Sequence, residues 1–193
     1  MEMVRNTTII YLDPGHGGFD GGATSNDKSI IEKDICLKTC IYLKEYLEKT
    51  GMKVYLTRSK DTALAKNKKE DIHKRVKLIN NSSADLYLSI HANSYPSSSV
   101  KGAQTFYNDN SENNKYLASS IMKWLKELDK NNKRIEKSIN GKYLLDHTTK
   151  TGCLVEIGFL TNEMDLANLK NNEYLMQIAF YIYLGILDYT RGT

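Results

Sequence analysis

The feature that most constrains the fold is an alternation between two kinds of segment. Short apolar runs such as Thr8-Ile9-Ile10-Tyr11-Leu12 and Leu86-Tyr87-Leu88-Ser89-Ile90 have strand length but lack the polar alternation of a half-exposed strand, so they read as strands buried on both faces. Longer stretches with helical spacing lie between them. Strands are expected at 8–13, 52–57, 86–91, 103–107 and 153–158, and helices at 32–49, 70–81, 112–129, 162–170 and 173–189. This alternation predicts an α/β domain, a mainly parallel but mixed sheet with helices on both faces. A chain of 193 residues suits one well-buried core and is short for two, so a single domain over 1–193 is expected.

Ligands of such sheets gather beyond the carboxyl ends of the strands. Two histidines fall there. His16 follows the first apolar run in Asp13-Pro14-Gly15-His16-Gly17-Gly18, where glycines remove side chains that would crowd an imidazole, and His91 closes the run that begins at Leu86. Glu32 opens the helical pattern Glu32-Lys33-Asp34-Ile35-Cys36-Leu37, while Glu156 interrupts the apolar run Cys153-Leu154-Val155-Glu156-Ile157-Gly158-Phe159. A carboxylate inside such a strand is costly unless it is paired or catalytic. Two imidazoles and a carboxylate suit a tetrahedral Zn2+ ion that keeps its fourth position for water, and zinc lowers the pKa of bound water from ~15.7 to ~7. Each residue also has a plainer reading. A histidine in a glycine turn or at a strand end is commonly structural, and Glu32 is favoured in a first helical turn by the helix dipole alone.

The surrounding words carry more. Asp13-Pro14-Gly15-His16-Gly17-Gly18-Phe19-Asp20-Gly21-Gly22-Ala23, Glu32-Lys33-Asp34, Ser89-Ile90-His91-Ala92-Asn93 and Leu154-Val155-Glu156-Ile157-Gly158-Phe159-Leu160-Thr161-Asn162, in that order, resemble the zinc-dependent N-acetylmuramoyl-L-alanine amidases over nearly the whole chain. The resemblance implies a zinc-hydrolase fold in which His16, Glu32 and His91 bind the metal and Glu156 is catalytic. It implies hydrolysis of the amide between the lactyl group of N-acetylmuramic acid and the L-alanine that begins the peptidoglycan stem peptide, without a serine or cysteine nucleophile. Some members act as bare catalytic domains that trim spore-cortex peptidoglycan toward muramic lactam, which extends the expectation to sporulation and to a recruiting or activating protein partner. The alternatives are a noncatalytic peptidoglycan-binding module and a zinc peptidase cutting within the stem peptide. Asp13, Asp20, Asn93 and Arg75 are candidates to support the ligands.

Two departures from the family pattern, Asp146 where arginine is common and Lys150-Thr151-Gly152 where an apolar residue precedes proline, are expected to border the cleft. Rival motifs fail. Asp20 stands where a dinucleotide-binding turn wants its third glycine, and neither His73 nor His147 has the partners of a helical His-Glu-x-x-His site. A net charge of +4 with lysines spread among acids gives no nucleic-acid patch. Cys36 and Cys40 share a helical stripe with Leu43 and Leu47, so they and Cys153 read as core residues. Residues 59–71, Ser94 to Gly102 and Asn131 to Asn140 read as loops, the last a mobile excursion. The apolar stretch from Leu175 to Tyr189 is too short to span a bilayer and reads as a packed helix. Met1 to Asn6 carries no apolar export segment. Because the substrate lies outside the membrane, action in the wall or forespore envelope is expected, with any signal already removed.

Overall fold

In the structure, a computed structural model that describes residues 7–192, strand β1 (Ile9–Pro14) is buried at all six positions. Only a central strand covered on both faces meets that condition. It lies between β2 (Lys53–Leu56) and β3 (Leu86–Asn93), and the sheet continues through β6 (Thr151–Phe159), β4 (Gln104–Tyr107) and β5 (Lys137–Ser138). The first four are parallel, β4 runs antiparallel to β6, and β5 is parallel to β4. The expected mixed α/β sheet is therefore present. The terminal segment Met1 to Asn6 lies outside the described residues.

Period-two alternation splits the strands between two layers. Ile10 and Leu12 pack with Leu43 and Leu47 of α1 (Glu32–Lys49), Ile121 of α3 (Glu112–Leu128) and Ile186 of α6 (Asn172–Gly192). Ile9 and Tyr11 face the other way, against Val76 and Ile79 of α2 (Lys68–Asn80) and Leu144 and Leu145 of α4 (Tyr143–His147). Each fully buried leucine or isoleucine contributes ~1.5–3 kcal/mol. The three cysteines are buried and unpaired in this core. Side chains of Asn67 and Asn162 accept from the backbone N–H of Glu70 and Asp165, starting α2 and α5 (Glu163–Leu169). Helix α1 has no such cap, because its N-cap residue is Ile31, which has no side-chain acceptor. Among the described residues no helix is long and apolar enough to cross a membrane.

Two expectations are corrected. The segment from Asn131 to Asn140 is no mobile excursion. Asn132 Nδ2 donates to the Ala103 carbonyl at 2.8 Å, Gln104 Nε2 donates to the Ile135 carbonyl at 2.8 Å, and Lys137 and Ser138 pair with Phe106 and Tyr107. Polar side chains there serve the backbone of a sheet edge. Nor do Lys150-Thr151-Gly152 border the cleft. Thr151 pairs with Leu86 at the amino end of the parallel strands, whereas Glu156 pairs with His91. At ~3.3 Å per residue the two places are ~16 Å apart. Asp146 is also absent from the cleft lining, since its carboxylate accepts from Asn108 Nδ2 and the Gly141 N–H behind the wall.

Candidate active site

The turn after β1 is built around backbone that a sequence rarely chooses. His16 has φ of 60°, a left-handed conformation costing ~1–2 kcal/mol for a residue with a side chain. Two buried arginines hold it. Arg58 donates to the carbonyls of Pro14 (3.1 Å) and Gly15 (2.7 Å), and Arg75 donates to those of Pro14 (2.7 Å) and His16 (2.5 Å). Arg75 is itself neutralised by Asp13 at 2.8 Å and Asp71 at 2.5 Å. Burial raises the pKa of Asp13, but Arg75 and the hydroxyls of Thr57 and Ser89 outweigh it and hold the carboxyl below its ordinary range. Asp13 is thus a buried anion under the turn.

The turn aims His16 at Glu32 and His91. Glu32 Oε1 lies 3.1 Å from His16 Nε2 and 2.9 Å from His91 Nδ1, and it also accepts from the Ala92 N–H at 3.2 Å. Its Oε2 accepts from the Ala23 N–H at 2.8 Å. One ligand atom from each of the three residues lies within 4.8 Å of the others, a group that can hold a metal ion. The two rings meet edge to face, 5.0 Å between centroids. Space for them depends on glycine: a Cβ at Gly15 would lie 2.4 Å from His91 Cε1, and one at Gly22, where φ is +70°, would lie 2.5 Å from Glu32 Oε2.

Charge follows geometry. Burial opposes ionisation of Glu32, but hydrogen bonds from both histidines prevail and its pKa is lowered strongly. Burial likewise opposes protonation of His16, and Glu32 and Asp20 overcome it, so the His16 pKa is raised. Asp20 Oδ2 holds His16 Nδ1 at 2.8 Å, while Lys68 pairs with Asp20 Oδ1 at 2.7 Å.

Glu156 projects from β6 into the same cleft, a space of about 400 Å³ also lined by Ile72, Ser89, Asn93 and Tyr143. The residue is half-buried, yet its Oε2 is sealed from solvent with no hydrogen-bond partner. Burial, reinforced by Glu32 and opposed by His91 and Lys142, pushes its carboxyl up to about 7. A larger groove of about 670 Å³ runs beside Tyr11, Tyr55 and Lys77, but among the described residues no group of metal-ligating side chains lines it.

All four expected site residues therefore meet in one cleft. Of the supporting candidates, Asp20 touches a histidine directly, and Asp13 and Arg75 act through the turn. Asn93 lines the cleft, but its side chain accepts from the Ser94 N–H rather than from either histidine. Arg58 was missed. The available signal was an arginine directly after the β2 run in Leu56-Thr57-Arg58.

The family model described as N-acetylmuramoyl-L-alanine amidase matches residues 10–188. The chain belongs to the N-acetylmuramoyl-L-alanine amidase family. As such it is an enzyme that acts on peptidoglycan, hydrolysing the bond between N-acetylmuramic acid and L-alanine. The amidase is 43% identical to the germination-specific N-acetylmuramoyl-L-alanine amidase of Bacillus subtilis, over 94% of this chain and 79% of that protein. It is 32% identical to LytC of the same organism, of which it spans 35% while 94% of this chain is covered. Among solved structures it superposes on the CwlD amidase of Clostridioides difficile, determined in complex with the GerS lipoprotein, with a TM-score of 0.94 and 38% identity over 97% of this chain and all of that one.

Proposed function

We propose that the amidase is a zinc enzyme in which His16, Glu32 and His91 hold the ion and Glu156 is the general base. The observation that carries this reading is the Glu156 carboxylate, whose Oε2 is buried without a partner on the wall of the cleft where the three donors converge. An unpartnered buried oxygen costs ~1–3 kcal/mol, a cost that serves no packing purpose and is offset when the oxygen takes a proton. The donor set itself suits zinc, with two imidazole nitrogens and one carboxylate oxygen.

Bound zinc supplies Lewis-acid polarisation of the scissile carbonyl and a more acidic water. The chain supplies the rest. Asp20 on Nδ1 of His16 leaves Nε2 as the donor nitrogen. Glu156, with its carboxyl at about 7, is matched to accept a proton from the attacking water and to deliver it to the departing alanine amine near neutral pH. Water oxygen joins the lactyl carbonyl carbon, the C–N bond breaks, and the amine leaves with the proton. No thiol takes part, since burial pushes Cys36, Cys40 and Cys153 well up.

The chain acts as one catalytic domain, outside the membrane, in the wall or forespore envelope. A relative named germination-specific, together with one solved in complex with a lipoprotein, supports a role in spore cortex and a recruiting or activating protein partner. The deciding experiment is metal analysis of the purified protein and its His91→Ala variant, with stem-peptide release assayed in parallel. Near-stoichiometric zinc that falls in the variant, with a free L-alanine amino group in the product, is the expected result. Absence of zinc after reconstitution refutes the metal assignment, and cleavage between amino acids refutes the bond assignment.

A further inference from the structure

Lys142 directly precedes α4 and lines the cleft beside Glu156. Of the described residues in that lining, which also holds Glu32 and Glu156, it is the one lysine or arginine. Among the described residues no carboxylate lies within ion-pair distance of its ammonium. Its mount is rigid nonetheless. Asp146 accepts from the Gly141 N–H at 2.9 Å and from Asn108 Nδ2 at 2.7 Å, fixing the approach to the helix. The ring of Tyr143 stacks with His73 at 4.4 Å and meets His147 at a tilt at 4.1 Å, and Leu144 and Leu145 are buried in the α2 layer. A smaller cavity of about 130 Å³ adjoins the cleft at Lys142 and Glu156, walled by Phe106, Ile139 and Leu145.

An exposed cation without an ion-pair partner, on a held backbone and beside a small cavity with apolar walls at Phe106, Ile139 and Leu145, matches a small apolar side chain followed by a carboxylate. The stem peptide offers that pair on the leaving side of the scissile amide, its first alanine and then the free α-carboxylate of a γ-linked glutamate. We propose that Lys142 is a specificity-determining residue that binds the glutamate α-carboxylate of the stem peptide, with the alanine methyl seated in the adjoining cavity. This rests on the amide assignment above and adds the direction in which the peptide lies, toward α4.

The test uses the zinc-loaded full chain and two muramoyl peptides that differ only in whether the glutamate α-carboxylate is free or amidated. The readout is the ratio of kcat/KM for the two. The wild type is expected to favour the free acid by about tenfold, the scale of one charge-assisted hydrogen bond. In Lys142→Ala the ratio falls to near one, in Lys142→Arg it is kept, and in Lys142→Glu it inverts. A wild type without preference, or a ratio unchanged in Lys142→Ala, overturns the proposal. If the wild type cleaves neither peptide, the amide assignment is what fails. The same ratio, measured as Kd in the Glu156→Gln background with and without Lys142→Ala, still decides the role of Lys142, and equal Kd values there overturn it.

Discussion

Replacing Glu156 by glutamine should make the metal-free protein more stable and catalytically dead, and the stability gain should depend on pH in a defined way. The carboxyl is pushed up to about 7 from an ordinary 4.5 because its Oε2 is buried without a partner. The unfolded chain therefore releases this proton at lower pH than the folded one. Below about pH 4.5 both states keep it and the group is neutral in each, so glutamine, of the same shape, changes little. As pH rises from there through 7 the folded state must retain a proton or bury a charge, and wild-type stability falls. With ~1.4 kcal/mol for each tenfold difference, the gap between the proteins grows to ~3 kcal/mol and is flat above neutrality. At ~3 °C per kcal/mol for a chain of this size, that is a Tm difference of ~9 °C. Thermal unfolding in chelator at a series of pH values from 5 to above 8 measures it. Parallel curves, with the same gap at every pH, would show that Glu156 is not a desolvated carboxyl and would remove the physical basis for its role as base.

Two further outcomes follow from the supports of the turn. Asp20→Asn loses the anion on His16 Nδ1, so zinc affinity measured by chelator competition should weaken by ~10–100-fold while the fold is kept; unchanged affinity would refute the orienting role of Asp20. Arg75→Leu strands Asp13 as a buried anion and should cost ~3–5 kcal/mol in urea denaturation. Because the Asp13 pKa is lowered in the folded state, its stabilisation is present above the ordinary carboxylate range and lost as pH falls, and the variant should lose that acid sensitivity.

Much of the architecture was legible because its signals are long. Buried two-sided strands such as β1 and β3 leave unbroken apolar runs, and the site residues are tied to their ends. The missed elements are short or polar. β5 is two residues whose only contribution is backbone pairing, and α4 spans five residues, too few for a helical period to show. Lys150 to Gly152 was misplaced for a different reason: adjacency to Glu156 in sequence becomes distance along an extended strand. The left-handed backbone at His16 and the arginines that hold its carbonyls are likewise contacts between segments far apart in the chain.

Helix α2 has a mechanical consequence. Arg75 on its inner side grips the carbonyl of His16, and His73, two residues away, stacks on Tyr143 in the opposite wall of the cleft. One helix thus touches both banks of the cleft, so a substitution that unseats α2 disturbs the turn at His16 and the wall at Tyr143 together, while Glu156 stays held by its strand pairing with His91.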